Sequence, residues 1–135
     1  MLNIPIVTAA GHGDAIPYYY KLNAGQMGPR GNPVASRLVK EADVILAIGT
    51  RLGFNSTFYS YENINKKAKI IQIELEKKML GKYFPIVLGI NADAATATKQ
   101  LFEEIKRQKL KLDIKNWTNS YLKERKKFLI NRDKY

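Results

Sequence analysis

The sequence predicts an α/β domain: a parallel sheet flanked by helices, with a basic amphipathic helix at its C-terminal end. Three observations lead there. Val44-Ile45-Leu46-Ala47-Ile48 is a short unbroken apolar run that stops at Gly49, the pattern of a strand buried on both faces. A helical segment precedes it: Asn32 is a good N-cap, Pro33 suits the first helical position, and Val34, Leu38 and Val39 share a face. Apolar runs and helical patterns then alternate along the chain, as parallel sheets require.

Taken in order, Leu2 to Ala9 reads as a first strand, with Pro5 near its start where a missing N–H is tolerated. No helix precedes it. This is an abrupt beginning for an α/β domain, so a further strand and helix are expected upstream and the domain reads as truncated at its N-terminus. Ala10 to Gly31 reads as a long loop carrying Gly11, Gly13, Gly25, Gly28 and Gly31. Loops of that length in compact domains are usually functional. This one ends at a helix N-terminus, which can receive an anion. Its Gly25-x-x-Gly28-x-x-Gly31 spacing is not the dinucleotide-binding G-x-G-x-x-G, and turn geometry explains those glycines at least as well.

After the central strand, residues 53–65 read as an irregular loop or short helix whose Phe54, Phe58, Tyr59 and Tyr61 pack against something. Lys69 to Leu75 is the next strand, with Ile70, Ile71 and Ile73 as buried candidates. Glu76 to Lys82 is a short helix ended by Gly81. Pro85 to Ile90 is a strand placed near an edge by Pro85. Asn91 is expected to cap a helix from Ala92 to about Gln108, with Ala94, Ala97, Leu101, Phe102 and Ile105 as its core-facing stripe. Trp117, Tyr121, Leu122, Phe128 and Leu129 repeat at helical spacing and predict a last helix from about Asn116 to Asn131. A membrane-surface or partner helix is one reading of that pattern. The preferred one is a helix that lays its stripe on its own protein or on a neighbouring domain. Residues 1–108 are expected to form the domain and 109–135 a basic helix or interdomain linker.

Composition narrows the function classes. The chain has 135 residues, 45% of them hydrophobic and 26% charged, which suits a single folded domain. With no cysteine it can form neither a disulfide nor a thiolate metal site. No apolar run spans a bilayer and no signal peptide is recognisable, so no membrane role and a cytoplasmic location are expected. The net charge is +11, yet Lys outnumbers Arg 17 to 6 and no aromatic or Arg-rich recognition motif accompanies it. That argues against nucleic acid as a partner.

No complete catalytic motif is present. G-x-x-x-x-G-K-[ST], G-x-S-x-G and H-E-x-x-H are all absent. His12, the only histidine, lies near Asp14 but has no nucleophile beside it, so the pair reads as loop residues that can face a neighbouring domain's site. Glu74, Glu76 and Asp93 stand at strand ends. There an acid can hold a ribose hydroxyl, or serve only as a helix cap or dipole partner. The residues alone thus describe a Rossmann-like module with a ligand crevice at its strand ends and no self-sufficient catalytic site.

The order of segments resembles the central domain of thiamine-diphosphate-dependent enzymes of the acetolactate synthase group. The similarity runs through Ile4-Pro5-Ile6-Val7-Thr8, the Gly25-to-Gly31 loop, Glu41-Ala42-Asp43-Val44-Ile45-Leu46-Ala47-Ile48-Gly49-Thr50-Arg51-Leu52, Ala68 to Glu74 and Gly89-Ile90-Asn91-Ala92-Asp93. Within that group, Gly11 to Pro17, Asn23 to Asn32, Gly49 to Thr57 and the Trp/Lys-rich tail are most similar to the sulfoacetaldehyde acetyltransferase family. The resemblance implies a sirtuin/deoxyhypusine-synthase-like NAD/FAD-binding fold. It implies a parent transferase, an acyltransferase that cleaves sulfoacetaldehyde with phosphate to acetyl phosphate and sulfite. Thiamine diphosphate and Mg²⁺ would be bound there by N- and C-terminal domains outside this sequence, which would be its partners in a homo-oligomer. No catalytic and no metal-binding residue falls in this chain. If a nucleotide such as FAD or ADP occupies the crevice, the matching positions are Gly49, Thr50, Arg51, Glu74 and Asp93, although the acetyltransferase chemistry needs no flavin. The alternatives are the central domain of another such enzyme, acetolactate synthase for example, or a stand-alone nucleotide-binding module.

Overall fold

The computed structural model describes residues 2–132. Its elements are β1 (Ile6–Thr8), β2 (Asn23–Gln26), α1 (Pro33–Glu41), β3 (Val44–Ile48), α2 (Phe54–Thr57), β4 (Lys69–Glu74), β5 (Leu88–Asn91), α3 (Ala94–Arg107) and α4 (Lys115–Arg132), with single 3₁₀ turns at Gly13–Ala15 and Lys77–Met79. Every strand pair is parallel, so the α/β expectation holds. The strands form two sheets rather than one, β1-β2 and β3-β4-β5.

α1 forms where its signals place it. Asn32 accepts a hydrogen bond from the Ala35 N–H at 2.9 Å, satisfying one of the helix's unpaired donors. Val34, Ala35, Leu38 and Val39 are buried on one face. This face joins Leu22, Ala24 and Met27 from the β2 side, Ala47 and Ile70 from the three-stranded sheet, and Tyr121 of α4 in one hydrophobic core. Both sheets therefore share a core on one side. Gln72 is a polar residue inside that side, 2% exposed, and both ends of its amide are used: it donates to the Thr50 carbonyl at 3.0 Å and accepts from the Gly81 N–H at 2.8 Å.

Several expectations are corrected. The first strand is only three residues long, because Asn3 takes a positive φ and Pro5 has no N–H to give. The long glycine loop is not structureless: its Asn23–Gln26 segment pairs with β1 as β2. β3 is not buried on both faces. Ala47 faces the core at 3% exposure, while Val44, Leu46 and Ile48 on the opposite face are 53%, 44% and 36% exposed. The cap of α3 is Asp93, which accepts from the Thr96 N–H at 2.8 Å, and not Asn91, which belongs to β5 and donates to the Glu74 and Leu75 carbonyls. The α3 stripe is only partly covered: Ala97 is buried, Leu101 and Ile105 are half-buried, and Phe102 is exposed. The helix expected after Glu76 is a single 3₁₀ turn.

α4 lies on its own protein. Tyr121 is completely buried, the Thr118 hydroxyl donates to the Asn3 carbonyl at 3.1 Å, and the Arg125 Nε donates to the Asn23 carbonyl at 3.0 Å. Arg37 of α1 forms an ion pair with Glu124. The aromatic segment around α2 packs as expected, with Phe54 edge-on to Phe58, Tyr59 against Tyr83 and Tyr61 against Phe84. Among the described residues no helix is long and apolar enough to cross a membrane.

Candidate functional site

Parallel pairing brings the carboxyl ends of β3, β4 and β5 to one edge. Ile48 is in register with Ile73, and Glu74 with Asn91. The turns that follow hold all five sequence-predicted positions: Gly49, Thr50 and Arg51 after β3, Glu74 at the end of β4, and Asp93 two residues beyond β5. Strand ends of a parallel sheet are where open α/β folds place ligands. The geometry therefore assembles these positions.

Their polar groups, however, are already engaged with one another. Gly49 donates to the Ile73 carbonyl at 2.9 Å, and its α-carbon faces the Ala94 methyl group. The Thr50 hydroxyl accepts from the Leu52 N–H, and its carbonyl accepts from Gln72. The Arg51 Nη2 lies 2.9 Å from the Glu76 Oε2, and Lys78 reaches the other oxygen of the same carboxylate at 2.7 Å. Glu74 is buried and accepts from the Glu76 N–H at 3.1 Å. Asp93 is spent on capping α3. These contacts complete turns and a helix terminus. Gln72 and Glu76 are the two residues most involved besides the five predicted. Gln72 had one sequence signal, a polar side chain at a core-facing position of a strand.

The charges follow the hydrogen bonds. A hydrogen bond from the Lys78 ammonium, opposed by burial and reinforced by the positive charges of Lys78, Arg51 and Lys82, holds the Glu76 carboxyl below the usual range. The Thr96 backbone N–H and then its hydroxyl do the same for Asp93. A carboxyl with a depressed pKa in the folded state contributes stability above its ordinary value and loses it as pH falls through the folded one. The Asp93 cap is therefore complete above pH 3.8 and is lost progressively below it. A carbon-detected NMR titration is expected to place the Asp93 midpoint below 3.8, with the first turn of α3 fraying in step; a midpoint at or above that value refutes the cap's electrostatic role.

Among the described residues no three His, Asp or Glu side chains converge as a cation site. His12 and Asp14 are exposed on the 3₁₀ turn that follows β1, where the His12 backbone N–H donates to the Ala9 carbonyl. Two clefts lie elsewhere. One of about 500 Å³ is formed by Leu2, Leu22, Lys111, Lys115 and Leu122, and another of about 780 Å³ lies along α3 between Thr96 and Arg107.

Residues 1–101 match the family model described as thiamine pyrophosphate enzyme, central domain. The sulfoacetaldehyde acetyltransferase of Castellaniella defragrans is 35% identical over 114 residues, covering 83% of this chain and 19% of the relative. The enzyme of the same name from Alcaligenes xylosoxydans xylosoxydans is 37% identical over 102 residues, covering 74% and 17%. The acetolactate synthase large subunit of Haemophilus influenzae is 26% identical over 118 residues, covering 86% and 20%. The chain thus spans about a fifth of the length of the relatives it matches.

Proposed function

Because the chain belongs to the thiamine pyrophosphate enzyme central-domain family, we propose that it serves as the central, non-catalytic domain of a sulfoacetaldehyde acetyltransferase. The observation that carries this reading is the step in identity, from 35% and 37% for two acetyltransferases to 26% for an acetolactate synthase. In the parent enzyme, sulfoacetaldehyde and phosphate give acetyl phosphate and sulfite. Thiamine diphosphate supplies the carbanion chemistry there, with Mg²⁺ holding its diphosphate. In this reading both are bound by N- and C-terminal domains of the parent. The parent is a cytoplasmic homo-oligomer, and its central domain has the sirtuin/deoxyhypusine-synthase-like fold.

A domain exchange tests this. The aligned segment of the Castellaniella defragrans acetyltransferase is replaced by this chain. The hybrid is expected to form acetyl phosphate from sulfoacetaldehyde and phosphate. A folded, correctly assembled hybrid without that activity overturns the assignment. The chain by itself is expected to bind neither thiamine diphosphate nor Mg²⁺, and tight binding of either in titration calorimetry would show that a cofactor site lies within it.

A nucleotide crevice is the second reading, favoured by the convergence of Gly49, Thr50, Arg51, Glu74 and Asp93 at the strand ends. It requires Arg51 to exchange Glu76 for a phosphate. An exposed ion pair is worth so little that this exchange is energetically open. Thermal shift with millimolar FAD, ADP or NAD separates the readings: a rise in melting temperature that Arg51→Ala abolishes supports the crevice, and no rise removes it.

A further inference from the structure

The chain has eight tyrosines, one tryptophan and no cysteine. Thiols are the side chains that oxidants normally reach first. Without them, aromatic rings are left to lose single electrons, and the tryptophan, Trp117, is half-buried on α4. Two tyrosines are held face to face. Tyr59 follows α2, Tyr83 follows the 3₁₀ turn after β4, and their ring centroids are 4.5 Å apart with the planes tilted by 32°. Hydrogen bonding with the Tyr83 hydroxyl pushes the Tyr59 pKa up, so the oxygen ends of the two rings lie together. Tyr59 is 49% exposed and Tyr83 half-buried, which leaves the pair open to a small oxidant.

Neither ring rides on a free arm. Phe58 and Tyr59 have φ of 52° and 56°. Two bulky residues in the left-handed region persist only where their surroundings fix them. Here Thr57 does so from a fully buried position: its hydroxyl accepts from the Tyr59 N–H at 3.1 Å and donates to the Leu52 carbonyl at 2.9 Å. Its carbonyl accepts from the Asn63 side-chain amide at 3.1 Å. On the other side, Gly81 donates to Gln72 at 2.8 Å, and Phe84, next to Tyr83, is buried.

We propose that Tyr59 and Tyr83 are an oxidative modification site, at which one-electron oxidants of the peroxyl-radical class join the two rings as dityrosine. Each of two oxidant radicals takes one hydrogen atom from a phenol, becoming a hydroperoxide and leaving a phenoxyl radical. The two unpaired electrons, delocalised onto the carbons ortho to oxygen, form one carbon–carbon bond. Each ring then moves its ortho hydrogen, as a proton, back to its oxygen, and both phenols are restored. The bond closes a covalent loop around β4 in a chain that has no disulfide. This site does not rest on the function proposed above.

The test oxidises the whole chain with light-generated ruthenium(III) tris-bipyridine, persulfate serving as the final electron acceptor. The expected product is a monomer with dityrosine fluorescence, in a yield independent of protein concentration. Its tryptic digest is expected to hold a bridged pair joining the Tyr59 peptide to the Tyr83 peptide, lighter than their sum by two hydrogens. Tyr59→Phe and Tyr83→Phe keep the ring packing and remove one phenol. Each is expected to lower the monomer's dityrosine about tenfold or more, since the preset pair reacts as one unit. Tyr61→Phe, in the same tryptic peptide but packed on Phe84, is expected to leave it unchanged. Dityrosine that persists in the monomer of either pair variant overturns the proposal. So does dityrosine confined to dimers, which would report collisions through residues such as Tyr19, 87% exposed. An equal yield of the bridge in concentrated urea also overturns it, because the folded pairing would then select nothing. No outcome uses acetyl phosphate formation, so a failed domain exchange leaves this test unaffected.

Discussion

Tyr121→Ala is expected to destabilise the chain by about 3–5 kcal/mol, the cost of deleting a large buried aromatic side chain. Tyr121 is completely buried within the core that α1 and both sheets share, although it sits on a helix rich in exposed basic residues. Its removal leaves α4 held by the partly buried Trp117, Leu122 and Phe128, by the Thr118–Asn3 and Arg125–Asn23 hydrogen bonds and by the Arg37–Glu124 pair. The polar contacts among them are only partly buried and individually weak. Urea unfolding is expected to show a lower midpoint together with a lower m-value, because the helix no longer unfolds with the core. Tyr121→Phe separates packing from polarity. The Tyr121 hydroxyl is buried with no hydrogen-bond partner, and burial pushes its pKa up, with Arg125 opposing. Deleting that oxygen removes an unsatisfied group, so the change is expected to be neutral or stabilising by about 1 kcal/mol. If Phe were as damaging as Ala, the hydroxyl rather than the ring would be what anchors the helix.

The parts of the fold that were readable from sequence are those with local causes. α1 was legible because Asn32, Pro33 and the Val34/Leu38/Val39 face all point to the same element. β3 and β4 were legible as strands from their β-branched runs. β2 was not, since Asn23-Ala24-Gly25-Gln26 contains no β-branched or aromatic residue, and pairing with β1 alone makes it a strand. The choice between Asn91 and Asp93 as the cap of α3 could not be read either. Both are good caps, and the decision lies in which side chain reaches the Glu74 and Leu75 carbonyls across the sheet. Burial of β3 failed for a different reason. An apolar run records what a strand needs covered, whereas its exposed side records what this chain alone covers. The site shows the same division. Parallel order was enough to bring Gly49, Glu74 and Asp93 together. That Arg51 would meet Glu76, and that Gln72 would tie Thr50 to Gly81, depends on turns with no sequence signature.

Gly31→Ala is expected to cost more than about 3 kcal/mol and to leave little folded protein at 37 °C. An added Cβ there would lie 2.1 Å from the Gln26 carbonyl oxygen and 2.6 Å from the Met27 carbonyl carbon. Both are backbone atoms, so no side-chain rotation relieves the clash. The chain doubles back tightly at this point: Asn32 donates its N–H to the same Gln26 carbonyl at 2.9 Å, and its side-chain amide reaches the Ala24 carbonyl at 2.6 Å. Moving residue 31 outward would therefore break the register of β2 and the cap of α1 together. Gly11→Ala is the control. Gly11 has φ +88°, but an added Cβ meets nothing within 4 Å, so only the left-handed backbone penalty of about 1–2 kcal/mol is expected. Thermal unfolding of both variants beside the parent chain measures the contrast, and equal losses would refute it. The comparison also decides what the Gly25-x-x-Gly28-x-x-Gly31 spacing is for. At Gly28, with φ +99°, an added Cβ would fall 2.4 Å from the Asn55 carbonyl oxygen. The tightest approaches at Gly28 and Gly31 are thus to protein backbone, and the first turn of α1 is capped by Asn32. The glycines let three stretches of main chain pack against one another. A phosphate-binding loop would instead keep that space and those N–H groups for its ligand.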